Sequence, residues 1–428
     1  MSCKFKIENL TEELTDKITK DLKIKIDANV YSFGNKPTYI IPYLIEDDDI
    51  YLPFSYAYRT LKFKRPSREN FSTIEPIFTG SLRPEQEIVK REAIRLLSKK
   101  GSVVLSMYCG FGKTITSIKI ACDIHFKTLI IVNKIVLMKQ WESSILKVSP
   151  QSKIQMILPA SKLKEADFYI INATNVCKKG YEFFQNIGTV IVDEVHMIMA
   201  ETLSKSLYYI KPRYLIGLSA TPYRPDGLDS LLDLYFGEDK ITRKLFKPHI
   251  AYKVTTNFKP TVELTQNGKV NWNVILDSQA MDRDRNELII KIVQYFRDRT
   301  FLILTKRVAQ GEYLVDRLTE VGEDVSSLIG SQQTFELSSR VLVGTNSKIG
   351  VGFDHPNLNS MILACDLEEY FIQYLGRCMR TEEVEPIIFD LVDKNSILEK
   401  HFSTRRAVYL EHGGTVKNFR DEFTEFQF

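Results

Sequence analysis

The segment MYCGFGKT combines residue types that can hold a nucleotide phosphate. It follows an apolar run with strand character, and a stretch with helical character follows it, which is the context a phosphate-binding loop needs. Gly110 and Gly112 let backbone N–H groups turn toward phosphate, and the helix N-terminus adds its positive dipole end. Lys113 would reach the β- and γ-phosphates, and the Thr114 hydroxyl would bind Mg²⁺. The sequence therefore predicts a P-loop for ATP and Mg²⁺, made of Met107, Tyr108, Cys109, Gly110, Phe111, Gly112, Lys113 and Thr114.

A second candidate group is the tetrapeptide Asp193-Glu194-Val195-His196, directly after the apolar run TVIV. A carboxylate at a strand end near a P-loop is well placed to hold Mg²⁺ through water, which is the role predicted for Asp193. Glu194 would orient and deprotonate the attacking water. His196 would relay the nucleotide state to the next strand. That strand, YLIGLS, ends in Ser219-Ala220-Thr221-Pro222, whose hydroxyls can hydrogen-bond the carboxylates.

Short β-branched runs alternate with amphipathic stretches, which predicts parallel sheets covered by helices on both faces. Strands are predicted to begin at 103, 128, 168, 189 and 214, then at 300, 340, 360 and 386. Helices are predicted over 113–124, 137–146, 286–297 and 308–321. Between the two series, 261–274 is typical of a hairpin that turns at Asn267-Gly268.

These patterns predict four segments: an N-terminal accessory module over 1–75, an α/β lobe over 76–240, a β-containing linker over 241–280 and a second α/β lobe over 281–428. Aromatic residues beside the basic run Lys62–Arg65 indicate that the first segment contacts duplex DNA or a polymerase partner. Simple packing on the first lobe is the alternative.

Composition limits the function classes. The chain has 58 Lys and Arg against 54 Asp and Glu, a net charge of +4, so nucleic-acid contacts must come from local patches. The six cysteines form no CxxC pair, which argues against a zinc site and a secreted disulfide framework. The first residues carry no apolar leader, and no apolar run approaches the ~20 residues of a membrane span. We expect a soluble intracellular protein with no membrane partner.

Taken in order, these motifs resemble those of superfamily 2 helicases and translocases of the DExH type, over about Leu82 to Val416. The resemblance implies two tandem RecA-like lobes with ATP–Mg²⁺ between them and nucleic acid across both. LRPEQ is similar to the adenine-recognition motif, which implies that Gln86 reads the adenine edge. The segments Leu129–Trp141 and Asn172–Asn175 are similar to nucleic-acid-contact motifs, which implies contacts by Asn133, Lys134 and Thr174.

The motifs predicted for the second lobe also resemble those of this superfamily. Phe301–Gln310 is similar to motif IV, and Val343–Pro356 is similar to motif V. Motif V implies that Thr345 faces the nucleic-acid backbone and that Gly352 and Asp354 face the nucleotide. QYLGRCMR matches QxxGRxxR, which implies that Gln373, Arg377 and Arg380 are catalytic. The two arginines would act as arginine fingers when the cleft closes.

Within the superfamily, the motifs resemble the branch of the eukaryotic TFIIH translocase and the phage branch-migration helicase. CGFGKTIT is similar to the transcript-release helicases of poxviruses and other large DNA viruses. The resemblance implies a viral protein of the host cytoplasm or nucleus, with the virion as a further location.

The leading hypothesis is an ATP-dependent DNA helicase or translocase in viral transcription, replication or repair, with the transcription machinery as a partner. A duplex translocase without strand separation and an RNA helicase stay open. A nucleic-acid-binding protein with a decayed ATPase is disfavoured by Lys113, Glu194 and Arg380. A nuclease subunit would need a carboxylate–lysine cluster, and a small-molecule kinase would not need QxxGRxxR.

Overall fold

The computed structural model describes residues 1–26, 38–198, 207–220, 229–350, 353, 355–367, 371–379 and 384–426. The chain folds as two compact units, Met1–Arg243 and Lys244–Phe428. Each unit contains a seven-stranded sheet. Within the described ranges, no helix combines the length and apolarity needed to span a bilayer.

The first unit begins with small antiparallel sheets. Its strands are β1 (Ser2–Lys6), β2 (Ile24–Ile26), β3 (Thr38–Ile40), β4 (Leu44–Glu46) and β5 (Asp49–Pro53). They pair in the order β1-β5-β4, with β2-β3 as a separate ribbon. The helix α1 (Glu12–Asp21) lies between β1 and β2, a π-helical turn spans Tyr56–Thr60, and 3₁₀ turns span Ile7–Asn9 and Arg68–Asn70.

A parallel sheet forms the centre of the first unit. Its strands are β6 (Ser102–Met107), β7 (Thr128–Val132), β8 (Ile154–Ile157), β9 (Phe168–Asn172), β10 (Thr189–Val192), β11 (Tyr214–Ser219) and β12 (Lys240–Arg243). Their order is β12-β6-β11-β10-β7-β9-β8. Its helices are α2 (Pro84–Lys100), α3 (Lys113–Ile124), α4 (Ile135–Val148), α5 (Ala173–Val176), α6 (Val195–Ile198) and α7 (Asp229–Phe236), with a 3₁₀ turn at Tyr181–Phe184. Every residue of β6, β7, β9, β10 and β11 is buried, as expected of a parallel sheet covered on both faces.

The N-terminal segment packs on this sheet. Met1, Ile40 and Phe54 belong to the same hydrophobic cluster as Val104 of β6. The guanidinium of Arg65 donates to Leu97 O at 3.1 Å and also to Ser98 O and Lys99 O, the carbonyls at the end of α2. Leu97 O also accepts a hydrogen bond from the backbone N–H of Gly101, the capping residue. Because the last carbonyls of a helix lack partners further along it, the arginine helps to close the C-terminus of α2.

The second unit contains the other parallel sheet. Its strands are β13 (His249–Thr255), β14 (Phe301–Thr305), β15 (Val325–Leu328), β16 (Val341–Thr345), β17 (Ser360–Leu363), β18 (Ile387–Val392) and β19 (Gly414–Asn418), in the order β15-β16-β14-β17-β18-β13-β19. Its helices are α8 (Trp272–Met281), α9 (Arg283–Tyr295), α10 (Val308–Glu320), α11 (Asn346–Ile349), α12 (Phe371–Leu375), α13 (Ser396–Glu411) and α14 (Phe419–Glu422). The two sheets confirm the predicted α/β class.

The region expected to form a linker, 241–280, is shared between the two units. β12 lies at the edge of the first sheet beside β6, and β13 lies inside the second sheet between β18 and β19. Neither strand was predicted. The predicted hairpin is reduced to one bridge, Leu264 to Val270, around the turn at Gly268, whose φ is 72°.

The second predicted hairpin strand is wrong, because Trp272 already begins α8. The Asn271 side chain accepts a hydrogen bond from Asn273 N at 3.2 Å and caps the helix. A capping asparagine favours this helix start over continued extended chain.

Candidate nucleotide site and nucleic-acid contacts

The predicted P-loop connects β6 to α3. β6 lies between β12 and β11, and α3 begins at Lys113. Gly110 and Gly112 have φ of 92° and 90°, a left-handed conformation that glycine adopts without strain. A Cβ added to Gly112 would lie 2.4 Å from Gln86 Nε2. The loop therefore packs tightly against Gln86 and leaves no room for a side chain at Gly112.

Lys113 bends back onto the start of the loop. Its Nζ donates hydrogen bonds to Met107 O at 2.8 Å and to Tyr108 O at 3.3 Å. Those carbonyls hold the ammonium against the first residues of the loop, the position from which a P-loop lysine meets phosphate oxygens. Phe111 is buried and packs edge-on against Tyr108, with 5.5 Å between ring centroids.

Gln86 is attached to the P-loop. Its Nε2 donates to Phe111 O at 2.9 Å, and its Oε1 accepts from Arg83 N at 2.9 Å. The Arg83 guanidinium also donates to Phe111 O. The buried glutamine therefore links the start of α2 to the loop, while its contact with adenine stays a prediction.

Asp193 follows β10, and two N–H groups fix its carboxylate. Trp141 Nε1 donates to Oδ2 at 2.8 Å, and the Glu194 backbone N–H donates to Oδ1 at 2.9 Å. Because parallel strands end at one edge, Asp193 lies at the same edge as the P-loop after β6, with β11 between the two strands.

The environment of Asp193 disfavours its ionised form. Burial, followed by the nearby charge of Glu194, raises the pKa of Asp193 to about 6. The Trp141 hydrogen bond and the charge of Lys113 act in the opposite direction. The positive charge of Lys113 in the P-loop thus favours the ionised form of Asp193. A bound cation would favour the same form and bring the raised pKa down.

Glu194 and His196 lie together beside the end of β11. Glu194 has a φ of 46°, rare for a non-glycine residue and often seen at functional sites. Its Oε2 is buried without a hydrogen-bond partner among the described residues and lies 3.6 Å from His196 Nδ1. His196 Nδ1 and Ser219 Oγ are 2.9 Å apart. An acceptor of this kind fits the water-activating role predicted for Glu194.

These residues fit a nucleotide-bound magnesium ion. The described residues contain no cluster of three or more His, Cys, Asp or Glu side chains that could hold a metal alone. Mg²⁺ in nucleotide sites needs none, since one or two carboxylates and substrate phosphates suffice. Asp193 and Thr114, in the first turn of α3, are the candidate protein contacts.

Six site residues were predicted in the second unit. The structure describes three of them, Thr345, Gln373 and Arg377. Gly352, Asp354 and Arg380 lie outside the described residues. Thr345 ends β16, with its Oγ1 3.3 Å from Ser347 Oγ, and Gln373 is buried in α12.

Arg377 is also buried, and its partners lie in its own unit. Nη1 donates to Phe353 O at 2.6 Å, and Nη2 donates to Gly350 O. The Nε atom has no hydrogen-bond partner in the part of the chain that is described. These contacts attach α12 to the motif V segment, and the finger role of Arg377 stays a prediction.

Comparison with known proteins identifies the family. "Putative helicase 161L" of Invertebrate iridescent virus 6 is 43% identical over 447 residues, which cover 98% of this chain and 100% of that protein. "Putative helicase 055L" of Frog virus 3 is 30% identical over 86% of each chain. The chain belongs to the superfamily 2 helicases of large DNA viruses. Membership of this family implies an ATP-hydrolysing enzyme that acts on nucleic acid.

More distant relatives agree with this assignment. The family model described as "Type III restriction enzyme, res subunit" matches residues 79–224 of the helicase. "Putative ATP-dependent RNA helicase L396" of Acanthamoeba polyphaga mimivirus is 26% identical over 93% of this chain and 82% of that protein. The solved structure of S. cerevisiae Dbp5 bound to RNA and ADP BeF3 is 16% identical, with a TM-score of 0.55 over 81% of this chain and 96% of that chain. It shows the fold of two RecA-like lobes.

The residues predicted to contact nucleic acid in the first lobe of the helicase follow neighbouring strands. Asn133 and Lys134 come directly after β7, and Thr174 comes after β9. Asn133 Oδ1 is buried and has no hydrogen-bond partner among the described residues. The Thr174 hydroxyl donates to Asn172 Oδ1 at 2.8 Å, so that Asn172 orients this exposed threonine. Their contact with nucleic acid stays a prediction.

The contact between Trp141 and the helicase's Asp193 was not predicted from the sequence. Trp141 shares a helical face with Leu137, Met138 and Ile145, all of them buried. That spacing predicts a core residue, and 52 residues separate the tryptophan from its partner. No local pattern could have shown the hydrogen bond.

Proposed function

We propose that this helicase hydrolyses ATP–Mg²⁺ at the P-loop site of its first lobe and uses the energy to move on DNA during viral transcription, replication or repair. The observation that carries the proposal is the grouping of Lys113, Asp193 and Glu194 at the carboxyl edge of one parallel sheet. The charge of Lys113 lowers the pKa of Asp193 against the effect of burial. Glu194 has a buried carboxylate oxygen without a hydrogen-bond partner in the described chain.

Each of these residues has its own role in ATP binding or hydrolysis. Backbone N–H groups of the loop around Gly110 and Gly112 bind the phosphates, and Lys113 positions the transferring phosphoryl group. Asp193 and Thr114 hold Mg²⁺, which neutralises charge on the phosphates when it is bound. Glu194 orients the attacking water and accepts its proton.

The coupling of hydrolysis to movement involves further residues. His196 links this motif to Ser219 at the end of β11. In the second lobe, Arg380 stabilises the charge that develops during hydrolysis, and Gln373, Gly352 and Asp354 serve the nucleotide. Nucleic acid is held by its phosphates through Asn133, Lys134, Thr174 and Thr345, which predicts little sequence specificity.

DNA is favoured as the substrate because the motifs resemble DNA translocases and transcript-release helicases. RNA is the second candidate, because the mimivirus relative carries the name of an RNA helicase. We also propose that residues 1–75, which pack on the first lobe, contact duplex DNA or a polymerase. The proposed locations are the host cytoplasm, the nucleus and the virion.

Steady-state ATPase measurement tests the proposal. The helicase is assayed at low salt alone and with single-stranded DNA, duplex DNA or RNA, and Lys113→Ala is the blank. We expect stimulation by DNA and loss of hydrolysis in Lys113→Ala, since the lysine's contribution to the transition state is worth several kcal/mol. Stimulation by RNA alone would assign an RNA helicase. Hydrolysis by Lys113→Ala at the parent rate would remove the P-loop assignment.

A strand-displacement assay separates the remaining alternatives. A DNA-stimulated ATPase that removes a protein roadblock from duplex DNA but separates no strands is a translocase. An ATPase that releases a labelled strand is a helicase in the strict sense.

A further inference from the structure

Trp141 and Asp193 are joined by a side-chain hydrogen bond that the roles assigned above do not use. The indole Nε1 donates to Oδ2 at 2.8 Å, and Trp141 is only 1% exposed. The Glu194 backbone N–H donates to Oδ1 at 2.9 Å. Each oxygen of the carboxylate therefore accepts from one of these two donors, which together fix its plane.

An indole N–H can orient a metal-binding carboxylate without competing for the metal. It is a donor only, carries no charge and cannot bind a cation in place of the carboxylate. An ionised carboxylate has about four lone-pair sites, so Asp193 keeps acceptor capacity after these two bonds. Partners that orient a metal ligand typically change metal affinity by about 10- to 100-fold.

The helix that carries Trp141 also begins at the predicted nucleic-acid contacts. α4 starts at Ile135, directly after Asn133 and Lys134. Ile135 is 71% exposed, whereas Trp141 is buried. The two positions are separated by about 9 Å of helix rise. One rigid element thus has its first two residues at the surface and its second turn against the Asp193 carboxylate.

We propose that Trp141 is a positioning residue that orients Asp193 for Mg²⁺ and makes this orientation respond to nucleic acid bound at the start of α4. The inference rests on the proposed function, because it requires an ATPase that nucleic acid stimulates. A small shift or rotation of α4 changes the length and angle of the hydrogen bond, on which its strength depends steeply. The coupling is reciprocal, so Mg²⁺–nucleotide must change nucleic-acid affinity by the same factor.

The first test compares the two tryptophans of the chain. Trp141→Phe keeps an aromatic ring and removes the N–H donor. Trp272→Phe is the matched control, because Trp272 stacks on His401 in the second lobe, with 5.2 Å between ring centroids. For Trp141→Phe we expect the Mg²⁺ concentration at half-maximal ATPase to rise about tenfold or more. We expect its stimulation by nucleic acid to fall, while its KM for ATP at saturating Mg²⁺ stays near the parent value. Trp272→Phe should change none of these.

A shape-conserving replacement separates the donor from the packing. In the Trp272→Phe background, β-(3-benzothienyl)alanine can replace the single remaining tryptophan, so that sulfur takes the place of N–H in a ring of similar shape. We expect the same rise in the Mg²⁺ requirement. A benzothienyl protein with the Mg²⁺ dependence and stimulation of its tryptophan counterpart would overturn the proposal, whatever the effect of Trp141→Phe.

Fluorescence tests the response to nucleic acid. In the Trp272→Phe protein, Trp141 is the only tryptophan, and its emission should change when the polymer that stimulates the ATPase binds without nucleotide. Unchanged emission, with binding detected by anisotropy of the labelled polymer, would overturn the coupling. If the parent ATPase is stimulated and depends on Lys113, these results reject only the role of Trp141, and the proposed function stands.

Discussion

His196 Nδ1 and Ser219 Oγ lie 2.9 Å apart, and both side chains are buried. The contact joins α6, which follows the two carboxylates, to the last residue of β11. His196 Nδ1 is also 3.6 Å from Glu194 Oε2. The same ring nitrogen therefore faces the proposed general base and a hydroxyl of the next motif. A change at Glu194 during hydrolysis can therefore reach β11 through His196 and Ser219.

Ser219→Ala should separate hydrolysis from movement. We expect ATPase to be largely kept and strand displacement per ATP to fall, because the link between α6 and β11 is lost. The fold should lose about 1 kcal/mol, the usual value of one such hydrogen bond. The matched control is Ser106→Ala, since Ser106 is the register partner of Ser219 on β6 and is also buried. Equal losses of coupling in both variants would contradict the role of Ser219.

The sequence predicted those elements whose signals are local. The strands of the first sheet that were predicted, β6, β7, β9, β10 and β11, are largely apolar and fully buried, and glycines at 110 and 112 have the predicted loop conformation. β12 was missed because KITR is short and half of it is charged, and β13 was missed because polar and charged residues interrupt HIAYKVT. Their strand character comes from pairing with β6 and β18, which local sequence does not contain.

The site residues, too, were predicted where the signal is local in the sequence, whereas their distant partners were not. Motif spacing predicted Lys113, Asp193, Glu194 and His196, and all four lie at the carboxyl edge of the first sheet. The partners of Asp193 and Arg377 depend on contacts across the fold, 52 and 24 residues away for Trp141 and Phe353. The motif alone therefore could not show that Arg377 donates to the carbonyls of Phe353 and Gly350.

The two arginines of QxxGRxxR should differ when each is replaced. Arg377→Ala should lower the melting temperature, because it leaves the buried carbonyl of Phe353 and the partly buried carbonyl of Gly350 without this donor, at a cost of about 1–3 kcal/mol. Arg380→Ala should keep the parent stability and nucleotide affinity but lose ATPase about 10³-fold or more, as expected of an arginine finger. Thermal denaturation, fluorescent-nucleotide binding and ATPase measure the three quantities. Loss of nucleotide binding parallel to loss of turnover in Arg380→Ala would contradict the finger role.

The second lobe should lose stability in mild acid through His249. Burial, together with the charge of His412, lowers the pKa of His249, while Lys247 O and the charge of Glu385 oppose the shift. Below about pH 6.5 the unfolded chain binds a proton that the folded histidine resists. The stability contribution is therefore present above that pH and is lost as pH falls through the folded pKa.

Urea unfolding followed by Trp272 emission in the Trp141→Phe protein measures this loss, since Trp272 lies in the second lobe. His249→Gln cannot titrate and should give a flatter dependence on pH between about 7.5 and 5.5. A parent and a variant with the same slope would show that other groups cause the loss.

The lysines of the N-terminal basic run should contribute to the binding of duplex DNA. Arg65 is engaged with carbonyls of α2, whereas Lys62 and Lys64 are exposed. Lys62→Glu/Lys64→Glu should weaken duplex DNA binding severalfold and make it less dependent on salt, while melting temperature stays unchanged. Lys20→Glu/Lys23→Glu is a control of equal charge change on the same segment. Equal weakening in the control would indicate a general charge effect and remove the run as a binding surface.

Gly112→Ala should abolish nucleotide binding. The new Cβ would lie 2.4 Å from Gln86 Nε2, and a φ of 90° is strained for any residue with a side chain. Gly268→Ala is the matched control: its φ is 72°, but no atom lies within 4 Å of the added Cβ. The control should lose about 1–2 kcal/mol of stability and keep ATPase. Gly112→Ala/Gln86→Ala removes the clash but not the strain, and Gln86→Ala alone is its reference, because Gln86 is itself predicted to contact adenine. If the double variant binds a fluorescent analogue better than Gly112→Ala and approaches that reference, the loss is assigned to the Gln86 contact. If Gly112→Ala binds nucleotide as the parent does, the tight loop is not the phosphate cradle.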